Sequence, residues 1–301
     1  MPLRNQIHID QLLSNVAVKY RNEQYIAEEI APRLPVRKDS DLFRVYDRNF
    51  RIPETSRANK GLANEHTFEV SSASYVLQNH ALKDYVSEED AANYDMSDLR
   101  ADVVEELSDK IMMRQELMTA QLFTTTSWSL NVSLAAANAF TADTTVSNPI
   151  LVFDTGATEI IGNSGIRPNT ALIPRTGYIG AKNHQSVLDR IKYTSSEVSE
   201  NMMAQLFGVD RLLVPASQYD TSNKGVTANM TDIWGDSAWI GYVQKGASPR
   251  RVSSLYTLQR DVPMVRRWRD EERDAEAIEV QKKLLPRVVA SLTGFLIKDV
   301  Y

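Results

Sequence analysis

The longest unbroken periodic pattern in the chain covers residues 97–124, where neither glycine nor proline occurs. Leu99, Val103, Leu107, Ile111, Met118 and Leu122 fall near multiples of four, with Val104 beside them, so the spacing predicts one apolar stripe on an α-helix. Arg100, Glu105, Glu106, Asp109, Lys110 and Arg114 lie mostly off that stripe. Ser97 is placed to cap the first turn, and Asp98 and Asp102 put negative charge where the helix dipole favours it. At ~1.5 Å per residue such a helix spans roughly 40 Å. It is too polar to cross a bilayer and reads as a strut that carries flatter pieces.

On either side of the strut the pattern changes. In residues 1–41, Ile9, Leu12, Leu13, Val16 and Tyr20 have helical spacing, with Asp10 a nearby N-cap; Tyr25, Ile26 and Ile30 follow. Pro32 and Pro35 then enforce extended chain. This lead-in either packs on its own domain or lies on a neighbour. Residues 42–47 and 66–71 alternate as strands do, and 48–65 between them form a long polar excursion with a basic tip, Arg57 and Lys60. A two-stranded excursion of this kind is marginal alone in water. Tyr75–Leu77 and Tyr85–Val86 continue the strand texture, followed by an acidic turn, Glu88, Glu89 and Asp90. Residues 125–149 read as irregular connection around Trp128.

From Ile150 the texture is α/β. Residues 150–161 are apolar. Strands are expected over 170–174, 209–215 and 233–243. One helix should open at Tyr178 and run on through Leu188, Ile191 and Tyr193; a second should cover 198–207 and stop at Gly208. Residues 250–301 return to strands over 252–258, 278–280 and 287–297, the last containing Gly294. Between them an almost unbroken run of charge surrounds one tryptophan: Arg266, Arg267, Trp268, Arg269, Asp270, Glu271, Glu272, Arg273 and Asp274. Its signs are mixed, which excludes a phosphate groove. It reads either as a solvated loop or as a contact tip that pairs with copies of itself around an aromatic anchor.

Composition narrows the function. The 301 residues carry no cysteine, so neither disulfides nor thiolate chemistry is available. The start of the chain lacks the order of a secretory signal. A net charge of −5 argues against a dedicated nucleic-acid binder. The four histidines, His8, His66, His80 and His184, are not at metal-ligand spacing, and neither a phosphate-binding loop nor a nucleophile elbow occurs. Catalytic, cofactor-binding and metal residues are therefore expected to be absent.

The order of parts, together with several short motifs, resembles the major capsid proteins of tailed bacteriophages. The motifs are Asn22-Glu23-Gln24-Tyr25-Ile26-Ala27 with Ile30-Ala31-Pro32 and Leu34-Pro35-Val36; Leu188-Asp189-Arg190-Ile191-Lys192-Tyr193-Thr194 with Leu206-Phe207-Gly208-Val209-Asp210-Arg211; Ile233-Trp234-Gly235; and Val265-Arg266-Arg267-Trp268-Arg269-Asp270-Glu271. The resemblance implies an α+β, Hong Kong 97-like fold. Residues 1–41 would be the N-terminal arm and 42–86 the extended E-loop. Residues 87–149 and 246–288 would form the peripheral domain, with spine helix 97–124 and hairpin tip 262–275. Residues 150–245 and 289–301 would form the axial domain. It further implies subunit contacts through Arg57, Lys60, Arg266, Arg267, Trp268, Arg269, Asp270, Glu271 and Glu272, and a shell of hexamers and pentamers enclosing double-stranded DNA. Partners would be a separate scaffolding protein, a portal protein, a decoration protein and weakly held DNA, with no membrane; the location would be the virion, and the host cytoplasm before assembly. Some relatives cross-link a lysine to an asparagine. Lys60 is present, but 262–275 contains no asparagine, so no such bond is expected. An encapsulin-type cellular compartment is the alternative.

Overall fold

A computed structural model describes residues 25–46, 52, 54–57, 59–66, 70–94, 99–134, 139–141, 148–192, 198–223, 225–246 and 251–301. The helix expected over Ile9–Tyr20, the cap Ser97 and the first-turn charge Asp98 lie outside these residues. The chain begins with a single helical turn, α1 (Ala27–Ile30), and a short strand, β1 (Arg33–Pro35). Strands β2 (Ser40–Tyr46) and β3 (Val70–Val76) form the foot of the excursion, and β4 (Gln78–Ser87) follows at once. The acidic turn is the start of a short helix, α2 (Glu88–Asn93), whose first turn is capped by the Ser87 hydroxyl accepting from the Asp90 amide. The strut is helix α3 (Leu99–Ala120). Strand β5 (Leu130–Ser133) and helix α4 (Pro149–Ser164) come next; Asn148 caps α4 and Gly165 ends it in the left-handed conformation.

The remainder runs β6 (Thr170–Leu172), α5 (Arg175–Asn183), α6 (Gln185–Ile191), α7 (Glu200–Leu206), β7 (Arg211–Leu213), β8 (Gln218–Asp220), β9 (Met230–Asp232) and β10 (Ala238–Gly241). Two long strands, β11 (Leu255–Asp270) and β12 (Ala275–Val288), and the final β13 (Gly294–Lys298) complete it. The single helix expected from Tyr178 is two, because His184 turns extended and caps α6 with its own imidazole. Gly208 stops α7 as expected, at φ +67°. The strand expected over 233–243 is shorter, since 233–236 form a turn. The run 287–297 is broken: β12 ends at Val288, and a 3₁₀ turn (Ser291–Thr293) separates it from β13.

Two sheets organise these pieces. The first has the order β1-β11-β12-β4 and packs one face on α3; the second has the order β5-β13-β10-β6-β7 and is flanked by α4 to α7. A core of Phe153, Ile160, Met203, Phe207, Ile240 and Phe295 lies between the second sheet and its helices. A second core joins the two units. It gathers Ile26, Ile30 and Ala31 from the start of the described chain, Phe123 and Trp128 from beyond α3, Trp234, Trp239 and Leu296 from the second sheet region, and Leu255 from β11.

The strut departs from its expected stripe. Ile111 is buried, but Leu99, Val103, Leu107, Met118 and Leu122 are only half-buried, and Gln115, Glu116 and Thr119 take the other buried places. The reason is tertiary: Gln115 and Glu116 meet polar partners from other segments, while Met113, Leu117, Ala120 and Leu122 lie against the second core.

Candidate assembly interfaces

The foot of the excursion is fixed to the first sheet by charge and by packing. The Asp39 carboxylate accepts from Lys283 at 2.9 Å and pairs with Arg260 at 2.9 Å. The Lys283 hydrogen bond, then that of Arg260, holds its carboxyl below the usual aspartate range. Arg287 donates to the Ser74 carbonyl and lies 5.4 Å from the Phe43 ring. Tyr75 packs with Leu77 and Leu258, and Phe43 closes over them. Strand alternation puts Leu42 and Val76 on the opposite face, and there they are 63% and 65% exposed.

Beyond the foot, the described residues 54–57 and 59–66 are exposed apart from the half-buried Gly61. They are ordered by local bonds only. Arg57 Nε donates to the Gly61 carbonyl at 2.5 Å, Asn64 Nδ2 to the Glu54 carbonyl at 2.8 Å, and Lys60 turns the chain at φ +64°. Arg57 is therefore already engaged within the loop. The apolar residues here were not singled out from sequence: Ile52 and Leu62 are each 95% exposed.

The foot supplies a first prediction. A carboxylate held below its ordinary value stabilises the folded form above that value and ceases to as pH falls through the lowered one. Proteolysis at the foot should therefore accelerate in the parent only below about pH 4, read with pepsin at acid pH and with trypsin at Arg37 and Lys38 at neutral pH. In Asp39→Asn it should be fast at neutral pH already. Equal cleavage of both proteins at neutral pH would refute the anchor.

The charged run is not a loop. Arg266 to Asp270 belong to β11, and only residues 271–274 form the turn, with Asp274 at φ +45°. Strand β1 pairs with β11 no further than Gln259, and the register slips between Arg260 and Met264. From there β11 is an edge strand with residues 264–269 exposed, and charge is how an edge resists unwanted pairing. Many of its charges are satisfied within the subunit. Arg267 meets Glu276 at 3.3 Å, and Glu276 also accepts from Arg100 of α3 at 2.5 Å. Arg269 donates to Glu88 and to Asp274, each at 2.8 Å. Asp270 accepts from the Glu272 amide at 3.2 Å. Arg266 lies opposite Glu279, and the Glu271 and Glu272 side chains are exposed in the turn. Trp268 shares a cross-strand row with Ala277 and Tyr85; Arg273 stacks 4.2 Å from the Tyr85 ring, and Trp268 itself is 40% exposed.

A third feature escaped sequence reading altogether. Glu116 of α3 is fully buried. Its carboxylate accepts from the Ile26 amide (3.1 Å), the Ala27 amide (2.8 Å), Trp234 Nε1 (2.6 Å) and Ser217 Oγ (3.5 Å). Burial pushes its carboxyl up, and the four donors oppose that shift. Beside it, the nearly buried Lys282 donates to Gln115 at 2.6 Å and reaches Glu28 at 3.5 Å; burial lowers the ammonium. A single Glu within an amphipathic pattern gives no signal that donors from distant segments will converge on it.

Among the described residues no group of three or more histidine or acidic side chains could hold a metal, and no helix is long and apolar enough to cross a membrane.

The chain is 27% identical over 306 aligned residues to the major capsid protein of Burkholderia phage BcepMu, covering 97% of this chain and 96% of that one. It is 23% identical over 254 residues to the major capsid protein of Pseudomonas phage JBD67, covering 82% and 81%. No family model matches it. Among solved structures, a phage-related protein from Bordetella bronchiseptica superposes with a TM-score of 0.75 at 23% identity over 97% of both chains. The capsid of cyanophage P-SCSP1u gives 0.63 at 10% identity, over 93% of this chain and 89% of that one. A virus-like particle from Pyrococcus furiosus gives 0.56 at 10%, over 98% and 100%. The fold is therefore α+β and Hong Kong 97-like, the architecture of capsid shells. Within that class the chain is a homologue of phage major capsid proteins, as the motifs implied.

Proposed function

We propose that this chain is the major capsid protein of a tailed bacteriophage, a structural rather than catalytic protein, whose copies form hexamers and pentamers of an icosahedral shell around double-stranded DNA. Whole-length likeness to phage major capsid proteins supports the reading. The physical observation that carries it is the excursion: its foot is anchored at Asp39, and beyond the foot Ile52 and Leu62 stand exposed to solvent. In this reading residues 1–41 are the arm, 42–86 the E-loop, 87–149 with 246–288 the peripheral domain, and 150–245 with 289–301 the axial domain. A neighbouring subunit covers the E-loop, and Trp268 with Arg266, Glu271 and Glu272 meets its copies across a symmetry axis. Stable rings of this kind need buried areas above ~2,000 Å². The subunit folds in the host cytoplasm and assembles with a separate scaffolding protein, a portal and a decoration protein. A chain of net charge −5 leaves packaged DNA weakly held.

The encapsulin-type alternative rests on the fold alone, whereas the two sequence relatives named above are phage major capsid proteins. Electron microscopy of particles from cells expressing the phage genes tests both: DNA-filled, portal-bearing shells support the proposal, and closed shells loaded with a cargo enzyme overturn it. Trp268→Ala should lower the yield of shells at least several-fold while the subunit still folds, because the ring is 40% exposed on an edge strand and lies outside the buried cores. Normal shell yield would remove the tryptophan from the interface.

A further inference from the structure

The short helix α1 is gripped from three directions. From the spine helix come Glu116, on the Ile26 and Ala27 amides, and Asp109, which accepts from Tyr25 Oη at 3.0 Å. From β12 comes Lys282, on Glu28. From β7 comes Arg211, which donates to the Glu29 carbonyl at 2.7 Å and stands 3.7 Å from its carboxylate. Arg211 ties α1 to the second sheet from the strand itself; among the described groups that reach α1 from the spine helix and β12, Glu116 is the one that also bonds the second sheet region, through Trp234 and Ser217. A buried carboxylate bonded by four donors is costly to remove, since each donor would be left unpaired in the interior.

We propose that Glu116 is the latch that locks the start of the arm, the spine helix and the second sheet unit into one rigid subunit, and that this lock sets the angle between the units which the assembled shell inherits. Glu116 acts through its neighbours and is a positioning residue. Nothing else in the buried set can replace it. Gln115 is committed to Lys282, and Lys282 brings a charge of the wrong sign for amide donors. Two amides and an indole N–H converging on one point require an acceptor with several lone pairs, and a carboxylate is the side chain that supplies them.

The substitution Glu116→Gln keeps the shape but turns an NH₂ toward donors. Site-resolved hydrogen exchange on the unassembled subunit reads the latch without any shell. Protection of the Ile26 and Ala27 amides should fall by about tenfold or more, while amides of the β10–β13 ladder keep theirs. Trp234→Phe, which removes one donor but neither arm amide, should leave Ile26 and Ala27 protected. Where Glu116→Gln gives no folded protein, Glu116→Asp, with its charge withdrawn by one methylene, should show the same local loss. Unchanged protection at Ile26 and Ala27, or an equal fall throughout the molecule, overturns the latch. The second half rests on the shell reading: shells grown from the variant should spread in diameter relative to parent shells in electron micrographs. A parental diameter distribution with a released arm overturns the link to curvature. A parent that forms no shells overturns the shell reading and leaves the exchange result standing.

Discussion

Gly294→Ala is expected to destabilise the subunit by about 3 kcal/mol or more, at the upper end of what overpacking a core costs. The position does not need glycine for its backbone, which is ordinary extended chain at φ −137°. It needs glycine for space. A methyl group there would come within 2.3 Å of the Trp128 ring and 2.6 Å of Trp239 Nε1. Gly294 is the strand partner of Gly241, where a methyl would meet the Trp239 ring at 2.2 Å. The facing glycines thus open a floor on which the Trp239 indole lies. That indole has nowhere to retreat: Trp128 and Phe123 stand 5.3 and 5.8 Å away by ring centroid, and Trp234 closes on Phe123 at 5.3 Å. Gly162→Ala is the matched control. It is the same exchange near the end of α4 with open space around it, and it should be neutral or stabilising by about 0.5–1 kcal/mol. Urea midpoints of the two variants decide the matter; a Gly294 variant as stable as the Gly162 variant would mean that the aromatic cluster is loosely packed.

This cluster also shows what could be read from the sequence and what could not. The strut was legible because twenty-odd residues without glycine or proline leave few options but a helix. Its buried face was half legible. Periodicity places Ile111 correctly and then fails at Gln115 and Glu116, because their partners lie more than 80 residues away along the chain. The solvated-loop alternative for the charged run around Trp268 fails for a related reason. An edge strand is charged to deter pairing, so it carries the composition of a solvated loop while having the backbone of a sheet. The excursion was legible as something that needs a cover. Which residues face that cover was not, since the basic pair Arg57 and Lys60 draws the eye while Ile52 and Leu62 are isolated apolar positions with no periodicity in a polar stretch.

Magnitudes separate those two pairs, and they give the largest effect expected on assembly. Arg57 and Lys60 are exposed, and exposed ion pairs with a neighbouring subunit would contribute ~0.2–1 kcal/mol each. Burying an isoleucine or leucine side chain contributes roughly 1.5–3 kcal/mol. The double variant Ile52→Ser, Leu62→Ser should therefore remove roughly 3 kcal/mol or more per contact. That raises the subunit concentration needed for shells by about a hundredfold. Reversing both charges at Arg57 and Lys60 should raise it by no more than about thirtyfold, and less still in high salt. Neither variant should shift subunit unfolding, because the loop is held by bonds among its own residues and by the anchor at Asp39. Sedimentation across a range of subunit concentrations gives both thresholds. If the double serine variant assembled at the parental threshold, the excursion would not be what joins one subunit to the next. If only charge reversal raised it, the neighbour's receiving surface would be acidic rather than apolar.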